Sequence, residues 1–150
     1  MVTLELLIQI SGVLHLGTLL GSAQVPRELK FREELPKLSP LLRHWVLTAG
    51  GYIVLNLIAF GVISLICAEE LATGSRLARC FCGYVAIFWL IRLLIAVFVF
   101  DARPYLRNAF LTVGYYGLSA VFVWHVLVFG AAALRPDFLG ENAPFWSGFA

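Results

Sequence analysis

Charged side chains are scarce in this chain of 150 residues. Asp, Glu, Lys and Arg make up only 13% of it, hydrophobic residues make up 61%, and the mean hydropathy is +0.89. Soluble domains carry about twice that fraction of charge. The net charge is only +2, and the basic residues flank apolar runs without forming a stripe, so no nucleic-acid partner is expected. The composition predicts an integral membrane protein in contact with membrane lipids, with a single domain over 1–150.

The sequence also lacks the common signatures of reactive sites. Its three cysteines are too few for a disulfide framework, and the spacing of Cys80 and Cys82 fits neither a redox pair nor a zinc knuckle. It contains no Gly-x-Ser-x-Gly, no phosphate-binding loop and no His-Glu-x-x-His, so no metal site is predicted. A cleaved signal peptide is not expected, because Glu5 lies where a positively charged region should be. These absences leave catalysis uncertain and any catalytic residue unknown.

Four long apolar segments are present, and each is near the roughly 20 residues that a bilayer core requires. In lipid the backbone must satisfy its own hydrogen bonds, so all four are predicted helices. The predicted fold is an all-α integral membrane protein, a four-transmembrane-helix bundle. The proline-bounded segment 26–35 alternates charged and apolar residues, which predicts a short interfacial amphipathic helix in loop one, and the aromatic tail 135–150 is expected to rest at the membrane surface. The predicted spans are 3–21, 45–67, 78–100 and 108–134.

Basic residues are distributed unequally among the connections between these spans. The first connection carries five of them, while the second and third carry two each and the last segment carries only Arg135. Cytoplasmic loops are enriched in Lys and Arg, so loops one and three are predicted to be cytoplasmic and both termini outside. The expected location is a bacterial inner membrane.

A short internal repeat opens the second and fourth spans. Segments 40–52 and 104–116 match at seven of thirteen aligned positions, which favours two tandem hairpins related by an axis along the membrane normal. Proline and arginine suit a helix start at the headgroups, and the glycines would let neighbouring helices approach closely. The identical pairs are Pro40/Pro104, Leu42/Leu106, Arg43/Arg107, Leu47/Leu111, Thr48/Thr112, Gly50/Gly114 and Tyr52/Tyr116.

Arg92 lies in the middle of the third apolar span, and a charge inside the membrane predicts a functional site by default. The sequence places no carboxylate at that depth, since Glu5 is near the opposite surface and Asp101 is on the reverse helix face. A quinone head, a fatty-acid carboxylate or a lipid phosphate would supply a counter-group. The alternative is that the side chain extends to the headgroups or bonds to tyrosine hydroxyls and backbone carbonyls.

Polar residues from every span fall near the depth of Arg92, about 10 to 12 Å below the cytoplasmic surface at 1.5 Å per residue. Helical spacing predicts that the stripes Ser11/His15/Thr18/Ser22, Thr48/Tyr52/Asn56 and Thr112/Tyr116/Ser119 face inward. His15 is interpreted either as an interhelical hydrogen bonder or as a proton-transfer group beside a quinone, and Asn56 as a link between helices. The predicted ligand-binding residues are Arg92, His15, Tyr52, Tyr116, Tyr115 and Asn56.

Heme b is the obvious rival cofactor, and it needs two facing axial ligands at one depth. His44 lies at the cytoplasmic mouth. His125 is about 180° around its helix from Tyr116 and is expected to point away from the interior, toward a partner subunit or toward Glu5. The sequence therefore disfavours heme.

Three function classes remain open. The first is a quinone- or lipid-binding protein, or an electron-transfer accessory protein, centred on Arg92. The second is a structural accessory subunit of a larger membrane complex, or a homo-oligomer. The third is a small membrane enzyme acting on lipid or quinone, which should place a second titratable group near His15. Few polar residues favour the first two classes.

Overall fold

The computed structural model of the protein describes residues 3–99 and 109–134. Four helices in this part are long and apolar enough to cross a membrane, and they confirm the all-α four-helix bundle of an integral membrane protein. The elements are α1 (Leu4–Ser22), α2 (Val25–Glu28), α3 (Phe31–Glu34), a 3-10 turn (Leu35–Lys37), α4 (Pro40–Ile66), α5 (Ala68–Ala72), α6 (Arg76–Phe98) and α7 (Ala109–Leu134).

Three of the long helices begin at a side-chain cap. The hydroxyls of Thr3, Ser39 and Ser75 each accept a hydrogen bond from the backbone N–H three residues later, which satisfies a donor that the first helical turn leaves unpaired. Pro40 follows the second of these caps and needs no such acceptor. Helix α4 therefore starts five residues before the apolar span that was predicted to begin at residue 45.

Loop one is helical but does not form the single amphipathic helix that was predicted. Lys30 adopts a left-handed conformation with φ of 49° and separates α2 from α3. Exposed ion pairs join Lys30 to Glu33 and Lys37 to Glu34, and such pairs contribute little to stability. The segment is thus two single turns and a 3-10 turn, all without buried residues.

Helices α1 and α4 cross at two glycines. A Cβ atom added to Gly12 would lie 2.8 Å from Cγ of Leu65 and 3.0 Å from the carbonyl oxygen of Gly61. Small residues permit this close approach of two backbones in a membrane. The predicted close approach at the repeat glycines Gly50 and Gly114 is wrong, because no atom of the described residues lies within 4 Å of a Cβ at these positions.

The buried side chains of α4 and α7 lie in the second half of each helix, whereas α1 and α6 are buried along most of their lengths. Helix α1 packs against α4 and α7, and α6 packs against α7. Helix α5 covers the loop-two end of the bundle with Ala68 and Leu71. The helices are therefore tightly packed at that end, and space remains between them near loop one.

The tandem relation of the two hairpins stays a prediction. The start of its second copy, 104–108, lies outside the described residues, as do the predicted interfacial tail 135–150 and the basic residues of loop three.

Candidate ligand pocket and buried histidine pair

His15 is fully buried in the middle of the bundle and uses both ring nitrogens. Its Nδ1 lies 2.7 Å from the carbonyl oxygen of Ser11, and its Nε2 lies 2.9 Å from Nε1 of Trp89. A carbonyl only accepts and an indole N–H only donates, so Nδ1 carries the proton and Nε2 accepts. His15 is therefore a neutral imidazole that links α1 to α6, as the hydrogen-bonding interpretation expected.

His125 of α7 stacks on His15. The two ring centroids are 3.9 Å apart at an interplanar angle of 30°. The side chain is fully buried, and among the described residues neither ring nitrogen has a hydrogen-bond partner. The prediction that His125 points away from the interior is wrong. The direction of His125 around the helix was counted from Tyr116, which was taken to face inward. Tyr116 is in fact exposed, so the opposite side of α7 is the interior.

Aromatic and hydroxyl groups surround this pair. Phe60 of α4 and Phe129 of α7 each place a ring edge-on to His15, with centroids 5.7 Å away. Nε1 of Trp124 donates to the hydroxyl of Ser11 at 2.9 Å, and this hydroxyl donates in turn to the carbonyl of Leu7. The histidine pair is thus the polar centre of an aromatic core shared by all four membrane helices.

The arrangement does not fit a heme held by two histidines. The rings of His15 and His125 are in direct contact, so no space for an iron porphyrin lies between them, and both nitrogens of His15 are already bonded. The sequence disfavoured heme because His125 was expected to point away from the interior; in the structure the direct contact of the two rings disfavours it instead. Within 3–99 and 109–134 no group of three His, Cys, Asp or Glu side chains is placed to hold a metal ion.

A cavity of about 320 Å³ lies at the loop-one end of the bundle, next to the histidine pair. Trp89 is common to both regions, because its indole lines the cavity and its N–H binds His15. All four membrane helices contribute to the lining, together with Val25 from α2. The lining residues are Thr18, Ser22, Val25, Ile53, Leu57, Phe88, Trp89, Ile91, Arg92, Ile95, Leu118 and Phe122.

Arg92 lies at the rim of this cavity, one helical turn beyond Trp89. Its guanidinium carbon is 5.8 Å from the ring centroid of Phe122, which is within the range of a cation–π contact. The residue is exposed, and it precedes the end of α6 by six residues, or about 9 Å of helix. The cavity wall beside it is aromatic, since Phe122 packs on Trp89 with centroids 4.7 Å apart.

The other predicted binding residues are placed differently. Tyr52 and Tyr116 are each 63% exposed, so their predicted inward orientation is wrong. Asn56 donates to the carbonyl of Tyr52 in its own helix, and it has no hydrogen bond to another helix among the described residues. Tyr115 is half-buried, and its hydroxyl donates to the carbonyl of Ala96 across α6 and α7 at 3.3 Å. Of the six residues, only Arg92 lines the cavity.

Trp89 and Phe122 line the cavity but were not predicted from the sequence. Trp89 precedes Arg92 by three positions and therefore lies on the same helix face, which was an available signal. Phe122 is one aromatic residue among many in α7 and has no such signal. The α1 stripe was correct, since Ser11, His15 and Thr18 are all buried.

Comparison of the chain with protein-family models, curated proteins and solved structures found no match.

Proposed function

We propose that this membrane protein binds a quinone- or lipid-like amphiphile in the Arg92 cavity and acts as a binding or electron-transfer accessory protein. The observation that carries the proposal is a permanently charged guanidinium at the rim of a cavity that is otherwise almost entirely apolar. Small-molecule sites typically combine a mostly apolar lining with a few polar groups that orient the ligand.

An amphiphile matches the two parts of this cavity. A guanidinium has five N–H donors and binds carboxylate, phosphate or carbonyl oxygen. Below Arg92, the side chains of Trp89, Phe122 and Leu57 offer an apolar surface for a ring or chain. The proposed orientation places loops one and three in the cytoplasm, so the head of the ligand would lie near the cytoplasmic headgroups.

Binding is proposed in preference to catalysis because the described cavity lining offers no acid–base pair. Arg92 is the one side chain there that carries a charge, and a guanidinium stays protonated near neutral pH, so it cannot act as a general base. His15, the acid–base group considered from sequence, does have a second titratable group beside it, His125. Both histidines lie outside the cavity lining, however, and both nitrogens of His15 are hydrogen-bonded. A general acid or base must reach its proton directly or through one water.

The test is to purify the protein in mild detergent and to identify what co-purifies by an optical spectrum and mass spectrometry. We expect one quinone or lipid species with the wild type and with Arg76→Leu, which changes an exposed arginine at the far end of α6. We expect loss of that species with Arg92→Leu. Leu118→Trp, which fills the cavity, should give the same loss, and circular dichroism checks folding.

Two results would contradict the proposal. One is retention of the same species by folded Arg92→Leu and Leu118→Trp proteins. The other is wild-type protein that carries no small molecule and instead co-purifies with other membrane proteins, which would favour a structural subunit. A Soret band in the spectrum would show that heme binds despite the stacked histidines.

A further inference from the structure

We infer that the head group of the ligand is an aromatic ring that carries a phenolic O–H, as in a quinol, and that this O–H donates a hydrogen bond to the hydroxyl oxygen of Thr18. The inference rests on the proposed function, because it names the head group of a ligand in the same cavity. Two observations support it: the hydrogen bonding of the hydroxyl groups that line the cavity, and the aromatic rings of its wall.

Two hydroxyl groups of α1 line the cavity, and both already donate their proton within the helix. The hydroxyl of Thr18 donates to the carbonyl of Leu14 at 2.8 Å, and that of Ser22 donates to the carbonyl of Leu19 at 3.1 Å. A hydroxyl has one proton and two lone pairs, so each group can only accept while its helical bond stays in place. A ligand that bonds to them must bring its own O–H or N–H. A quinone or an ionised carboxylate only accepts and cannot form this bond, whereas a phenol can.

Thr18 is the better placed of the two acceptors. It is 6% exposed and follows His15 by three residues, so it lies on the face of α1 that meets Trp89. Ser22 lies one turn closer to loop one and is half-buried. Trp89 also lines the cavity. A ring that packs against this indole therefore lies on the side of the cavity where the Thr18 hydroxyl is.

Three aromatic side chains form one wall of the cavity. Phe122 packs on Trp89 with ring centroids 4.7 Å apart and an interplanar angle of 31°, and Phe88 meets Trp89 edge-on at 5.5 Å. The hydrogen bond from Trp89 to His15 holds the indole in place. Aromatic rings that stack offset or meet edge-to-face gain free energy beyond the area that they bury, so this wall favours a further ring over an alkyl chain.

Burial of apolar surface does not by itself select a ligand in a membrane. Lipid tails are as apolar as a leucine-rich protein surface, so an acyl chain gains little when it moves from the bilayer into the cavity. Stacking on an aromatic wall and a hydrogen bond to Thr18 are contacts that lipid tails do not provide. These two contacts therefore distinguish a phenolic ring from the surrounding lipid.

The cavity has room for one such ring, and its opening lets an apolar chain leave. Its volume of about 320 Å³ lies at the lower end of the 300 to 1,000 Å³ typical of small-molecule pockets. Ile53 of α4 and Ile91 of α6 line it and are each 53% exposed, so the cavity reaches the outer surface of the bundle between these helices. The ring would fill the cavity, and its chain would extend past the two isoleucines into the lipid.

The test measures binding of radiolabelled para-nonylphenol to the whole protein in nanodiscs of phosphatidylcholine, at neutral pH, where a phenol keeps its proton. Two competitors each lack one feature: para-nonylanisole has the ring but no O–H, and para-nonylcyclohexanol has the O–H but no aromatic ring. Competitor amounts are compared per lipid molecule, because all three compounds enter the bilayer. We expect unlabelled para-nonylphenol to displace the label roughly 3- to 10-fold better than either competitor, from the strength of one hydrogen bond or one aromatic contact.

Variants assign each preference to its residue. Thr18→Val, which replaces a hydroxyl by a methyl of similar size, should remove the preference for the phenol over the anisole, and Thr18→Ser should retain it. Ser119→Ala is the control, because the Ser119 hydroxyl also donates to a carbonyl of its own helix but lies outside the cavity lining. Phe122→Leu should lower the preference for the phenol over the cyclohexanol, whereas Phe81→Leu, outside the lining, should not. Circular dichroism checks the folding of each variant.

The outcomes separate this inference from the proposed function. If the anisole or the cyclohexanol competes as well as the phenol, and all binding is lost in Leu118→Trp, the phenolic ring is overturned but the cavity remains a binding site. A preference for the phenol over the anisole that persists in folded Thr18→Val would overturn the hydrogen bond to Thr18. Absence of phenol binding to wild type, while another species co-purifies and is lost in Leu118→Trp, would refute the phenolic ring alone. Retention of both the probe and the co-purified species by folded Leu118→Trp would contradict both proposals.

Discussion

The crossing of α1 and α4 leads to a sharp prediction for Gly12→Ala. The added methyl would lie 2.8 Å from Cγ of Leu65 and 3.0 Å from the carbonyl oxygen of Gly61. The leucine side chain can rotate, but the carbonyl belongs to the backbone of α4 and moves only with the helix. Gly17→Ala is the matched control, because in the described part of the chain no atom lies within 4 Å of a Cβ at that position of the same helix.

Comparing the two variants isolates the steric effect. Both gain the same helix propensity from glycine to alanine, up to about 1 kcal/mol. Overpacking of a tight contact typically costs about 1 to 3 kcal/mol. We therefore expect Gly12→Ala to have a free energy of unfolding lower than that of Gly17→Ala by about 1 to 3 kcal/mol, with Gly17→Ala equal to or more stable than the wild type.

The assay is reversible unfolding by sodium dodecyl sulfate in mixed micelles, followed by circular dichroism and by tryptophan fluorescence. Coincident transitions from the two probes justify a two-state free energy. Equal stability of the Gly12→Ala and Gly17→Ala proteins would refute the reasoning, because it would mean that the backbones of α1 and α4 do not approach as closely as the structure has them.

Further predictions concern the histidine pair and the end of α7. His15→Phe should lower the free energy of unfolding by about 1 to 3 kcal/mol, because the buried indole of Trp89 loses its acceptor. His125→Phe should leave the free energy of unfolding unchanged or raise it, since two unpartnered ring nitrogens disappear. The same detergent titration checks both variants, and an equal loss of stability in the two would contradict the different hydrogen bonding of the two histidines. Arg79 donates from Nε to the carbonyl of Ala133 at 3.1 Å, so Arg79→Met should speed amide hydrogen exchange at the end of α7, while Arg76→Met should not. Unchanged exchange in Arg79→Met would show that this bond does not hold the helix end.

The inner side of a helix was predicted correctly only where its polar residues are few and all lie on the buried side. Helix α1 has few polar residues, and their spacing correctly indicated that Ser11, His15 and Thr18 face the interior. In α7 the same reasoning predicted that the side carrying Tyr116 faces inward and therefore that His125 faces outward. Tyr116 is in fact exposed and His125 is buried. Tyrosine near a membrane surface lies favourably at the lipid boundary, so polarity alone does not identify the inner side of such a helix.

The sequence by itself determined the four membrane helices and the presence of an unusual charge at Arg92, because span length and hydropathy are properties of each segment alone. Only the tertiary structure decided that His15 stacks on His125, that Gly12 meets Gly61, and that Trp89 separates the histidine pair from the cavity. The physical reason is that lipid and protein interior are similarly apolar, so hydrophobicity does not say which side of a membrane helix is buried. That choice is made by the fit of side chains between helices and by the hydrogen bonds that they form inside the bundle.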